Sequence, residues 1–206
     1  MVDYMPMIHA ERLLLSKYLD KLTPEQWTAA TWCSKWNVHD LVAHMVAAGN
    51  ITFGHFAGGF IKSGFKFNDT IEADVLLYNG GSSADVKARF DSILTSTKTP
   101  PGPKYVAFGE VMVHGEEIRR ALGDRGDHPD AHLVALADAY KTTGAPLNGK
   151  RRVSGLKLRA TDVEWTTGSG PEVTGDCMSL SLAMSGRKQV LDQLTGDGLE
   201  TLRSRM

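Results

Sequence analysis

The stretch GEVMVHGEEIRRALG, residues 109–123, decides how the chain is read. At about 100° per residue, Ala107, Val111, Ile118 and Ala121 fall on one stripe of a helix, spaced by three and four. His114 occupies the slot between Val111 and Ile118, where a core side chain is expected. Glu110 lies one turn earlier, at the i,i+4 spacing that lets two side chains reach one point. An unpaired buried carboxylate is costly, so the site calls for a compensating charge, and a divalent metal supplies it. The plainer reading is a surface Glu–His pair contributing a few tenths of a kcal/mol. A second histidine on another apolar stripe favours the metal.

That histidine is in WNVHDLVAHM, residues 36–45. Asn37 is a good N-cap, and Asp40 stands where a carboxylate suits both a capping box and the helix dipole, so Asp40 is explained locally. Leu41, His44, Ala48, Ile51 and His55 then form one stripe at helical spacing. Packing the two helices brings His44 to Glu110 and His114, a set of two imidazoles and one carboxylate. His55 lies about three turns further along, too far to share it.

Composition frames this site within an ordinary globular protein. A chain of 206 residues, 42% hydrophobic and 23% charged, can bury a proper core. Its 23 basic and 24 acidic residues leave a net charge of -1, which gives no argument for nucleic acid or an acidic membrane surface. The expected partner is a small molecule. Cys33 and Cys177 are far apart and are read as small buried hydrophobes, fitting a reducing cytoplasm and no disulfide. The N-terminus lacks the pattern of a signal peptide. Residues 41–61 are long enough to cross a bilayer and lack Asp, Glu, Lys and Arg, but His44, Asn50, His55 and the pair Gly58–Gly59 argue for a buried helix running into a loop.

In chain order, a first helix is expected over residues 8–22, and Thr23-Pro24-Glu25-Gln26 has the form of a capping box with proline at the first helical position. Trp27, Trp32 and Trp36 follow as core packing or as walls of a ligand cleft. Residues 58–68 read as a loop, 83–94 and 104–122 as helices separated by the proline-rich stretch 99–103, and 129–140 as a further helix. His9, His39, His128 and His132 are expected to be exposed. After Thr143 the character changes: LKLRA and VEW alternate as strands do, residues 168–171 form a turn, 172–174 a short strand, and 178–194 (broken at Ser185–Gly186) and 198–205 helices. Helices first and strands later predict a bundle over residues 1–143 and a small α+β domain over 144–206.

WNVHDLVAHM, GEVMVHGEEIRRALG and the tail blocks LKLRATDVEW, GSGPEV and SGRKQVLDQLTGDG together resemble the mycothiol-dependent maleylpyruvate isomerase family of the DinB-like metal-binding superfamily. The resemblance covers nearly the whole chain and is weakest over residues 53–103. It implies a mainly α protein: a DinB-like four-helix bundle holding a divalent metal, usually zinc, with a small C-terminal α+β, sterol-carrier-like domain. The family's metal triad falls on His44, Glu110 and His114. Mycothiol, a small-molecule thiol, would be the cosubstrate, with Trp32 and Trp36 as candidate residues for binding it. Arg187, Arg203 and Arg205 could hold substrate carboxylates, with surface salt bridging the alternative. The short tail gives no secure match for a catalytic arginine.

The expected activity is therefore that of a cytoplasmic, metal- and thiol-dependent transferase or isomerase that adds a thiolate to an electrophilic small molecule, in detoxification or in isomerisation. The expected state is a monomer or weak dimer without membrane or nucleic-acid partners. The alternatives are a metal-dependent hydrolase on the same bundle and a non-catalytic ligand-binding module with a structural metal.

Overall fold

The computed structural model describes residues 2–62, 64 and 67–206, with the side chains of residues 53, 55, 56, 60, 62, 67 and 68 left aside. The chain is mainly helical and divides into two compact units, Met1–Gly126 and Asp127–Met206.

The first unit contains α1 (Tyr4–Leu19), the short α2 (Pro24–Trp27), α3 (Val38–Asn50), α4 (Phe53–Lys62), α5 (Phe67–Tyr78), α6 (Ser83–Ser92) and α7 (Lys104–Ala121). Their starts follow capping chemistry. Thr23 and Gln26 form the predicted reciprocal box, Asn37 accepts from the Asp40 N–H, and Ser82 caps α6 in a box with Asp85. α3 packs on α5, α6 and α7, and α1 packs on α7 and α6. Leu41, Val42, Phe90, Ile93 and Ile118, each at most 1% exposed, fill the space between them.

Two expectations for this unit are corrected. The stretch 58–68, read as a loop, is the end of α4 and the start of α5, and the position of any break near residues 63, 65 and 66 lies outside the described residues. Gly59 is used for packing: a Cβ there would stand 3.1 Å from Thr70 Cγ2 on α5. The single apolar stripe on α7 is also too narrow a picture, because Glu116, Glu117 and Arg119 are buried as well. Arg120 Nε donates to Glu116 Oε1 at 2.7 Å, and the Gly126 N–H donates to Glu116 Oε2 at 2.9 Å, so this second face is buried with partners. The apolar span 41–61 is interrupted at Ile51 and Thr52, and no described helix is long and apolar enough to cross a membrane.

The second unit contains α8 (Asp130–Tyr140), α9 (Gly149–Val153), strands β1 (Lys157–Ala160), β2 (Thr166–Gly168) and β3 (Glu172–Gly175), α10 (Cys177–Met184), a 3-10 turn (Lys188–Gln193) and α11 (Leu199–Arg203). The sheet order is β2-β1-β3, with β2 antiparallel and β3 parallel to β1. The expected boundary after Thr143 falls instead before α8, because α8 packs on α10, which buries Leu133 and Leu136. VEW is not a strand. The Trp165 N–H donates to Val163 O at 2.8 Å and the Ala160 N–H to Trp165 O at 2.9 Å, so these residues turn the chain between β1 and β2. His128, expected to be exposed, is buried.

Candidate metal centre

α3 and α7 bring together three side chains that are 66 and 4 residues apart in sequence. His44 Nε2 lies 2.8 Å from Glu110 Oε2, and His114 Nε2 lies 3.3 Å from the same oxygen. Ligand atoms of all three lie within 4.8 Å of one another, the group that could hold an ion among the described residues. The His44 and His114 rings meet edge to face, 5.0 Å between centroids. His44 is buried, Glu110 is the most open of the three, and both line a cavity.

The electrostatics fit the donor set. Burial alone would raise the Glu110 carboxyl, yet hydrogen bonds to His114 and His44, with their charges, hold it well below the usual carboxylate range. Burial alone would lower the His114 pKa; the charge of Glu117 and the hydrogen bonds to Glu110 and Glu117 outweigh it and raise the value to about 9. The positive charge between the carboxylates is thus that of the His114 imidazolium, and a divalent ion bound at Nε2 would take the place of one of its protons. Zinc bonds to His nitrogen and carboxylate oxygen are about 2.0–2.2 Å, which puts neighbouring donors about 3–4 Å apart, so small shifts would admit a divalent ion.

The surroundings include a contact the sequence reading missed: His114 Nδ1 lies 2.5 Å from Glu117 Oε2, three residues on along α7. The i,i+3 spacing of His114 and Glu117 was the available signal. Trp36 stacks on His44 with centroids 4.9 Å apart and planes at 29°. Beside His44 and Glu110 opens a cavity of about 140 Å³, walled by Ala47, Ala48, Ile51, Ile71, Pro100 and Val106, with Thr70 and Asp74 as further polar groups. A second cavity, of about 240 Å³, is lined by Trp36, Cys33, Lys35 and Glu72 and shares Ile71 with the first. Trp32 is half-buried and lines neither cavity. His55 has its side chain outside the described residues, and Asp40 donates its backbone N–H to the Asn37 cap while its Oδ1 accepts from Asn79 Nδ2 at 3.0 Å.

Arg12, 5% exposed, helps hold one wall of the first cavity in place. Its NH1 donates to Ile93 O at 2.8 Å and Ser96 O at 2.9 Å, tying α1 to the end of α6 and the segment that leads to Pro100. Burial pushes its guanidinium down to about 10. In the second unit the three tail arginines differ. Arg203 pairs with Glu200 and Asp192, Arg205 NH1 donates to the carbonyls of Arg152 and Ser154, and Arg187 NH1 donates to Ser185 O at 3.1 Å. Both cysteines are free thiols: Cys177 is buried, which pushes its thiol up to about 12, whereas Cys33 is only half-buried, contrary to expectation.

Fold and site together define a helical bundle carrying a His–Glu–His cluster beside an apolar cavity. Residues 8–57 match the family model described as the mycothiol maleylpyruvate isomerase N-terminal domain. Two solved structures share the fold: a mycothiol-dependent maleylpyruvate isomerase, with TM-score 0.58 at 12% identity, and a histidine-to-alanine variant, with TM-score 0.57 at 14% identity. Each alignment covers 94% of this chain and 91% of the other. No curated protein matches the chain. The resemblance read from the sequence is thus matched both by the family model and by the structural neighbours.

Proposed function

We propose that this protein is a metal- and mycothiol-dependent enzyme, an S-transferase or a maleylpyruvate-isomerase-like isomerase, that adds a thiolate to an electrophilic small molecule. The observation that carries this reading is the convergence of His44, Glu110 and His114 from two helices on one point beside an apolar cavity. His44 Nε2, Glu110 Oε2 and His114 Nε2 would hold a divalent ion, by donor type most suitably zinc. Bound there, the ion supplies Lewis-acid stabilisation that favours a thiolate over a thiol at neutral pH.

The chain's own residues do the rest. Trp36, stacked on His44, fixes the plane of that imidazole and offers the rim of its cavity to the thiol cosubstrate; Trp32 is the weaker candidate, because it lines neither cavity. Ala47, Ala48, Ile51 and Ile71 give the electrophile an apolar wall that excludes water and orients its reactive carbon toward the edge formed by His44 and Glu110. The name of the matching family model and of the neighbouring structures supports mycothiol as the thiol. Location in the cytoplasm, a detoxifying role and a monomeric or weakly dimeric state complete the proposal.

The test is turnover of a panel of electrophiles at fixed zinc with mycothiol, with a different thiol and with none. Turnover that requires a thiol is expected. Equal rates in all three mixtures would make water the nucleophile and overturn the reading in favour of hydrolysis.

A further inference from the structure

A histidine that binds a metal through one ring nitrogen has to keep the other protonated, and something must hold that proton and fix the ring's orientation. In this site His114 turns Nε2 to within 3.3 Å of Glu110 Oε2, while its Nδ1 faces Glu117 Oε2 at 2.5 Å. Glu117 is 3% exposed, on the buried side of α7. Surface pairs at this spacing are common and contribute little, but a buried carboxylate is costly unless it serves a buried donor or charge. Here the donor is the ring nitrogen on the far side of a candidate ligand.

We infer that Glu117 is the positioning residue of the metal centre: it accepts the Nδ1–H of His114, so that Nε2 presents its lone pair to the metal, and it places a second carboxylate behind the site. The inference rests on the metal reading of His44, Glu110 and His114. Two carboxylates, Glu110 and Glu117, balance the two charges of a divalent ion; Glu117→Gln leaves the site one positive charge in excess. Gln keeps an acceptor of similar shape, so ring orientation is largely preserved and the lost charge dominates the effect. Outer partners of this kind typically change metal affinity by roughly 10–100-fold.

The neighbouring Glu116 supplies the control. It is equally buried but accepts from Arg120 Nε and the Gly126 N–H instead of a ligand's ring. Zinc affinity would be measured by competition with a chromophoric chelator for the full-length wild type, Glu117→Gln and Glu116→Gln, with circular dichroism to confirm folding. The expected result is zinc binding weakened roughly 10–100-fold by Glu117→Gln, and a melting temperature lowered by Glu116→Gln without such a loss. In parallel, nitrogen NMR of the zinc-loaded wild type should show His114 ligating through Nε2 with a proton on Nδ1, a reading that needs no variant to fold. Unchanged affinity in folded Glu117→Gln, or ligation through Nδ1, overturns the inference and leaves the metal reading standing. A wild type that takes up no zinc overturns both.

Discussion

Glu110 Oε2 stands 2.8 Å from His44 Nε2, although 66 residues and a helix-to-helix crossing separate them in the chain. The contact joins the middle of α3 to the middle of α7, so both helices have to be in register for it to form. His114→Ala and Glu110→Gln each remove one of three donors. Both are expected to lower zinc affinity by more than the roughly 10–100-fold typical of an outer partner. Metal content after dialysis, with circular dichroism as the folding control, checks this. Deleting this largely buried imidazole should also cost about 1–3 kcal/mol of stability. Full zinc content in a folded His114→Ala protein would show that the ligand set is wrong.

Trp36 lies flat on His44, and replacing it tests whether the second cavity belongs to the site. Trp36→Phe keeps a ring and should behave nearly as wild type. Trp36→Ala should raise the KM for the thiol severalfold while leaving zinc stoichiometric. The native Trp36 emission should change on zinc loading, because the ring touches a ligand. An unchanged KM in Trp36→Ala would place the thiol elsewhere.

Glu172 on β3 binds Lys157 Nζ and Arg159 NH2 of β1, each at 2.9 Å. Hydrogen bonds from Arg159, Lys157 and Thr174 hold its carboxyl at about 2, against an ordinary 4.5. Because the folded value is depressed, the stabilisation is complete above about 4.5 and is lost as the pH falls toward about 2. The melting temperature of the wild type should therefore exceed that of Glu172→Gln at neutral pH, with the gap closing over that acid window. The side chain is 32% exposed and open to salt, so the gap is expected to be small and to shrink as salt is added. A gap that persists unchanged to pH 2 would show that the effect is not ionic.

Residues 1–126 contain all three proposed ligands and form their own compact unit. A chain ending at Gly126 is expected to retain one zinc and lose turnover. A chain ending at Tyr140 should be less soluble, since it keeps α8 without α10 and exposes Leu133 and Leu136. Metal analysis and light scattering distinguish these outcomes. Loss of zinc from a folded chain ending at Gly126 would mean that a ligand lies in the second unit.

The main lines of the fold were legible where the chain uses local chemistry. Thr23, Asn37 and the proline stretch before α7 mark helix ends through capping and φ restriction, which act within a few residues. The registers of Val111, His114 and Ile118, and of Leu41 and His44, are likewise local periodicities, and they pointed to one cluster. What escaped was set by partners distant in sequence. Gly58 and Gly59 read as a loop because glycine disfavours helix in isolation, yet α5 needs the small residue at Gly59 to approach. Trp165 alternates like a strand residue but turns the chain, with its indole donating to Asp138 on α8. α8 itself looks like one more bundle helix until its apolar face meets α10. Glu117 was hidden because a carboxylate in a charged run is ordinarily solvated, and only the tertiary packing of α7 shows that it is buried.

The central claim is an open metal position held by two histidines and a carboxylate, and zinc-edge X-ray absorption on the full-length protein tests it most directly. Without added thiol, the account predicts only nitrogen and oxygen neighbours at about 2.0–2.2 Å. Adding mycothiol should bring in one sulfur at about 2.3 Å, and that sulfur should be lost in His114→Ala. A four-coordinate shell that does not change when thiol is added, or sulfur present before any is supplied, would contradict it.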